Sequence, residues 1–411
     1  MTQLVFMLYF LFFRIIESKA LEVLTGSKDT RYRLVAKAEE SRYIKRIVIK
    51  KRSDRTTHAI TIFLLTKAGL RYLTENMPGE LFSGMSKEEI DKIQIFGREE
   101  YSDDARLRIA GGSTAMIMAI AAKAVVPIQV FTKDYLAQTD IQNHSDNCEV
   151  IGLKRLIQRR LTQKIYDDLG IFGSSKDHQN TARYYDAAFI KQIVAGTQDP
   201  LAARDFYKGR FKGVICSHSR SVLVYTAPVF GMPWPEWVVK DEISNLLIWN
   251  KKYVSYQGQI LREPSAVLIV KNHRQFINLL KDVDGARKSK EVFGGRFHHL
   301  FIIEESLWGA AMLRWLMEYS DERVTEGVMK MLENKQVAKH NIKPTRRVFA
   351  FRTIGDREGA IGYTMDAKMM LEVANWAEKR PTENFVVLCT EPEYKYFAEV
   401  MPDNVTIMVQ H

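Results

Sequence analysis

The stretch SKDTRYRLVAKAEESRYIKRIVIKKRSDRTTHAITIFLLTKAGL, Ser27–Leu70, decides the reading of this 411-residue chain. Ser27 is an N-cap for a helix running to about Ser41, with Asp29 in the first turn where a carboxylate suits the helix dipole. On that helix Val35 and Ala38 share one face, joined by Arg31 in the turn before. At 100° per residue, Thr30, Arg33 and Lys37 point roughly the opposite way. Ile44–Lys50 then reads as a strand in which Ile47 and Ile49 alternate with charges. Lys51-Arg52-Ser53-Asp54-Arg55 is a polar turn, and Ala59–Leu65 is the return strand of a β-hairpin with a basic tip. Thr66 caps a further helix over Lys67–Glu75, ended by Met77-Pro78-Gly79.

Working outward, residues 3–17 are expected to be helical, and Ser18–Leu24 form a short helix ended by Thr25-Gly26. Three helices, a hairpin and a helix within 79 residues are the order of a winged helix-turn-helix. In that arrangement the third helix enters the major groove with Thr30, Arg33 and Lys37, while the wing lays Lys50, Lys51, Arg52 and Arg55 on phosphates. Leu4–Phe13 is a ten-residue apolar run, short of the ~20 residues a membrane span needs. It lacks a preceding basic region and a following small-residue cleavage site, so a buried helix is expected rather than a signal peptide or membrane anchor.

The charge distribution agrees. Net charge is +11, from 60 Lys+Arg against 49 Asp+Glu. Residues 28–55 hold eleven bases (Lys28, Arg31, Arg33, Lys37, Arg42, Lys45, Arg46, Lys50, Lys51, Arg52, Arg55) against four acids, a net of +7. Residues 151–164 add Lys154, Arg155, Arg159, Arg160 and Lys164 with no acid, another +5. The remaining 369 residues therefore net −1. Two basic patches on a neutral background suit a polyanion. The second lies beside an apolar stripe of Leu153, Leu156, Ile157 and Leu161, which fits an auxiliary phosphate contact or an ordinary amphipathic helix.

The run from Thr30 through Arg42-Tyr43-Ile44 to Leu65-Thr66-Lys67-Ala68-Gly69 resembles the N-terminal domain of the replication-relaxation family. That family carries a helix ending in Gly-Tyr/Leu-Ile, a wing, and a strand closing in Leu-Thr-x-x-Gly; here Arg42 stands where Gly is usual. The resemblance extends over about residues 1–130, including Arg106-Leu-Arg-Ile-Ala. It continues more loosely over 200–260, where Pro233 replaces a usual Lys. It implies a protein of a plasmid or integrative element, acting in replication or in relaxation of plasmid DNA.

Residues 80–205 read as a mainly helical connecting region. Gly111-Gly112-Ser113 opens an apolar helix over Ala110–Ala124 and is no phosphate-binding loop, because no Gly-Lys-Ser/Thr follows. Residues 206–411 alternate short apolar runs with helical patterns, which predicts an α/β domain with a buried mixed sheet. The class is thus α+β, α/β multidomain.

A Mg²⁺-dependent nuclease in the last domain is the competing function. It needs two or three carboxylates around one metal. Glu236, Asp241, Glu242, Glu304 and Glu305 are the candidates, the last two being the best pair. A relaxase would need a tyrosine such as Tyr184 or Tyr185 and a His-x-His cluster, yet His298 and His299 are adjacent and face opposite sides of a strand. No Walker motif, dinucleotide fingerprint or Ser/His/Asp elbow is present. Cys148, Cys216 and Cys389 are too scattered for a disulfide framework. The expectation is a cytoplasmic, double-stranded DNA-binding accessory protein without catalytic residue, metal or cofactor. It would bind as a homodimer and meet other replication or relaxation proteins of its element. A transcription regulator uses the same domain.

Overall fold

The computed structural model describes residues 2–13, 15–53, 56–77, 82, 86, 101–124, 182–187, 211–217, 220–227, 265–281, 297, 299–319, 351–352, 358–361 and 366–410. They divide into two compact units, one of residues 1–200 with 305–307 and one of the rest.

In the first unit α1 (Gln3–Phe13) buries every residue from Phe6 to Phe13. A helix apolar on all sides must be covered on all sides. The neighbours that do so are β1 (Ile15–Glu17), α3 (Lys28–Glu40), β3 (Thr56–Leu65) and α4 (Lys67–Asn76). Within the helix Phe6 and Phe10 meet edge to face at 5.2 Å, as do Phe12 and Phe13 at 4.8 Å. The helix expected over residues 3–17 stops at Phe13. Ile15–Glu17 instead pair antiparallel with β3, Ile15 opposite Leu64 and Glu17 opposite Ile62. Edge pairing to a strand far along the chain outweighs continuation of the local helix.

Next, α2 (Ser18–Thr25) ends at Gly26, whose φ of +74° is a left-handed value that glycine adopts without strain. Ser27 then caps α3, its Oγ accepting from the Thr30 amide at 3.1 Å. Strand β2 (Ile44–Ser53) runs antiparallel to β3 from Ile44↔Leu65 to Ser53↔Thr56, completing a three-stranded sheet of order β1-β3-β2. A ten-residue strand spans about 33 Å. Ile49, Ile60, Ile62 and Leu64 share one buried face by the cross-strand register.

The α4 junction explains the Leu-Thr-x-x-Gly pattern. Thr66 Oγ1 accepts from the Gly69 amide at 3.1 Å and donates to the Arg42 and Tyr43 carbonyls at 2.6 and 3.0 Å. The Thr66 amide also donates to Tyr43 O at 2.9 Å. This draws α4 so close to the 42–43 corner that a Cβ on Gly69 would lie 2.3 Å from Tyr43 O. Tyr43 and Tyr72 stack across the same corner, with centroids 4.5 Å apart.

Helix α5 (Asp103–Ala121) packs on α2 and β1. It starts at Ser102, whose Oγ accepts from the Ala105 amide, and carries Asp103 and Asp104 in its first turn. Gly111 and Gly112 therefore lie in mid-helix, not at the helix start expected from them. Ser113 Oγ donates to Phe13 O at 2.6 Å, tying α5 to the end of α1.

Downstream, the described residues form two mixed sheets. The larger has five strands in the order β4 (Arg183–Asp186), β5 (Gly213–Cys216), β6 (Ser221–Thr226), β7 (Ser265–Val270), β8 (Leu300–Glu304). Strands β5 and β6 are antiparallel; β6, β7 and β8 are parallel, with α6 (His273–Lys281) between β7 and β8. All six β7 residues are buried, as expected for a parallel strand covered on both faces. After α7 (Leu307–Glu318), the second sheet has the order β12 (Val405–Gln410), β11 (Phe385–Thr390), β10 (Glu358–Ile361), β9 (Phe351–Arg352). Its parallel strands are linked by α8 (Ala367–Lys379) and α9 (Glu391–Val400). Strands β4 and β10 were not anticipated. Trp237–Ile248, one of the helical patterns of the sequence in this part of the chain, lies outside the described residues.

Asp366, the N-cap of α8, joins α8 to β8. Its Oδ1 accepts from the Leu300 and Lys368 amides, and its Oδ2 lies 2.7 Å from His299 Nδ1. The buried Lys368 ammonium donates to Phe297 O at 2.6 Å. Among the described residues no helix is long and apolar enough to cross a membrane.

Candidate nucleic-acid interface

Helix α3 buries Leu34, Val35 and Ala38. Leu34 was not counted in the expected inner face, and its burial rotates the outer face towards Tyr32. Lys28, Asp29, Tyr32, Arg33, Ala36, Lys37 and Glu40 are exposed. Arg33 and Lys37 thus lie outward as expected. Thr30 does not: it is half-buried, its hydroxyl accepting from Ser27 Oγ at 2.9 Å. Its part is in the cap.

Arg31 is likewise turned inward. Its guanidinium reaches Glu22 at 3.2 Å and donates to Ser18 O and Oγ at 3.3 and 3.4 Å, with its side chain only 11 % exposed. It ties α3 to α2. On its other side the Cζ lies 4.4 Å from the Tyr32 ring centroid, a cation–π contact.

The end of α3 is closed by two reverse hydrogen bonds. The Tyr43 amide donates to Ala38 O and the Arg42 amide to Glu39 O, the pattern of a Schellman motif. That motif puts Arg42 at φ +57°, a left-handed conformation in which a side chain is strained. The glycine usual at this place in the resembling pattern has a physical cause. Arg42 is exposed here.

On β2, Lys45, Arg46 and Lys50 are exposed. Arg46 is paired with Glu39 of α3 and lies over the Phe63 ring, which locks the strand to the helix and offsets its charge. Lys51 and Arg52 continue the strand opposite His58 and Thr57. Arg55 and the second patch, Lys154, Arg155, Arg159 and Arg160, lie outside the described residues. Outward on α3 stand Arg33 and Lys37; on β2, Lys45 and Lys50 are both exposed but, five residues apart, project from opposite faces of the strand.

Tyr32 and Ala36 were missed in the sequence reading. Their signal was spacing: they lie one residue before Arg33 and Lys37, so the four form a contiguous patch on the helix.

The carboxylates considered for metal chemistry are placed otherwise. Glu304 Oε1 accepts from Lys395 Nζ at 2.6 Å and Tyr396 OH at 2.7 Å, binding β8 to α9. Burial, and then the Glu304 charge and hydrogen bond, raise the Tyr396 hydroxyl far above its ordinary pKa. Glu305 is buried. Among the described residues no three His, Cys, Asp or Glu side chains gather as metal ligands. Glu236, Asp241 and Glu242 lie outside them. Tyr184 is fully buried, and its hydroxyl pKa is raised by burial and by Asp186, the reverse of what a nucleophilic tyrosinate needs. Cys216 and Cys389 are buried and are not joined in a disulfide.

No family model, no curated protein and no solved structure matches the chain.

Proposed function

We propose that residues 1–79 form a winged helix-turn-helix that binds double-stranded DNA, with α3 entering the major groove and the β2–β3 hairpin as the wing. The observation that carries this reading is the exposed face of α3. Arg33 and Lys37 point outward from a helix held by caps at both ends, beside a hairpin whose basic residues run towards its tip. A rigid helix with a cationic outer face suits groove binding.

In this reading the chain is an accessory protein of a plasmid, phage or integrative element, working in the cytoplasm in replication, DNA relaxation or transcription control. Two copies bind a two-fold symmetric site, and the C-terminal unit serves dimerisation or contacts with other proteins of the element.

Gel shifts with the full-length protein test it. With six to ten phosphate contacts, raising salt from ~50 to ~200 mM lowers affinity ~10³–10⁵-fold. Arg33→Ala with Lys37→Ala weakens a specific site most. Lys51→Ala with Arg52→Ala weakens all sequences alike. Absence of duplex binding at low salt refutes the reading.

A further inference from the structure

Resting on the DNA-binding reading above, we propose that Tyr32 is a specificity residue: its ring meets the 5-methyl group of a thymine in the major groove, beside Arg33. At 58 % Tyr32 has the highest exposure of any large apolar side chain among the described residues. Leaving an aromatic ring in water is unfavourable by the hydrophobic effect, and here the ring is also held in place. Arg31 lies against it at 4.4 Å and is itself anchored to Glu22 and Ser18. An exposed ring fixed before binding loses little side-chain freedom when it is covered.

The occupant follows from the neighbouring residues. Tyr32 and Ala36 form one row at i, i+4, and Arg33 and Lys37 form the adjoining row one residue on. The cationic row calls for a polyanion. An apolar row beside it calls for an apolar feature on that polyanion. On the major-groove edges of B-DNA the one such feature is the thymine methyl group; guanine, adenine and cytosine offer only donors and acceptors there. Arg31 is then a positioning residue rather than a phosphate contact, since its guanidinium is committed to Glu22, Ser18 and the ring. A protein partner docking on the ring is the other occupant to be separated.

The test uses the full-length protein and a randomised duplex library. Sequences enriched by wild type are resynthesised with each thymine replaced in turn by deoxyuracil, which removes only the methyl group. Wild type is expected to lose about fourfold in affinity at one or two positions, the worth of one buried methyl group. Tyr32→Ala should bind the parent duplex more weakly, show no uracil effect at those positions, and keep the wild-type salt slope. Tyr32→Phe should keep the uracil effect. If Tyr32→Ala enriches the same sequences with the same uracil sensitivity, the assignment of Tyr32 falls and DNA binding stands. If wild type binds no duplex, both fall.

Discussion

Gly69→Ala sets a helix-propensity gain against a collision. In an open helix the change would stabilise by about 1 kcal/mol. Here the new Cβ would lie 2.3 Å from Tyr43 O, 2.7 Å from Leu65 Cδ1 and 2.9 Å from Met7 Cε. The methionine end is flexible and can yield; the carbonyl is backbone and cannot swing away. Ordinary C···O approach begins at about 3.3 Å, so α4 must retreat from the corner by about 1 Å. That would carry the Thr66 amide contact to Tyr43 O, now 2.9 Å, beyond hydrogen-bond range. Overpacking costs about 1–3 kcal/mol and the lost tie about 1 kcal/mol. Net destabilisation of the N-terminal unit is about 2 kcal/mol, equivalent to roughly 30-fold faster exchange of its most protected amides. Hydrogen exchange of the intact protein, read by mass spectrometry on peptides covering 3–77, measures this. Exchange as slow as wild type, or slower, would refute the close-approach account of the motif.

Arg42→Gly removes a strained left-handed side chain and should stabilise the same unit by about 0.5–1 kcal/mol, seen as slower exchange in the same peptides. Gly112→Ala should stabilise α5 by about 0.5–1 kcal/mol, because a methyl group there meets nothing within 4 Å; a lowered melting temperature would contradict this. Burial, aided by the Glu393 charge, pushes the Cys389 thiol up to about 12 from 9.0. The folded chain therefore holds this proton where the unfolded chain releases it. The associated stability is complete below pH 9 and is lost as pH climbs towards 12. At pH 8.5 iodoacetamide should modify Cys389 in denaturant and not in native buffer, by peptide mass; native labelling at a free-thiol rate would contradict the burial.

The local signals in the chain were legible because they act within a few residues. Ser27, Gly26 and Thr66 each satisfy or redirect backbone groups of a helix end that they adjoin. The apolar runs at 213–216, 222–227, 266–270, 385–389 and 405–409 fall on strands, because short runs rich in β-branched residues pack well on a pleated sheet. What escaped depends on distant partners. Ile15–Glu17 looks like the tail of an apolar helix until β3 is placed beside it. Arg31 falls on the inner face by its spacing, but its partner is hidden until Glu22, nine residues back on a different helix, comes within 3.2 Å. The double glycine at 111–112 invited a helix start, although Ser102-Asp103-Asp104 carried the cap and first-turn acids. At the candidate interface, 100° per residue already points Arg33 and Lys37 outward; Tyr32 joins them only once Leu34 is on the inner face, which tertiary packing decides.

The helix Gln3–Phe13 has a consequence for synthesis. Its cover includes β3 and α4, which end about sixty residues further along the chain. At ~5–20 residues per second a ribosome takes about 3–13 s to make that cover. For this interval the most oily decapeptide of the unit is translated and homeless. Chaperones that hold nascent chains should therefore meet this protein early, and a slow codon cluster placed between residues 20 and 60 should lower its soluble yield more than the same cluster placed beyond residue 80.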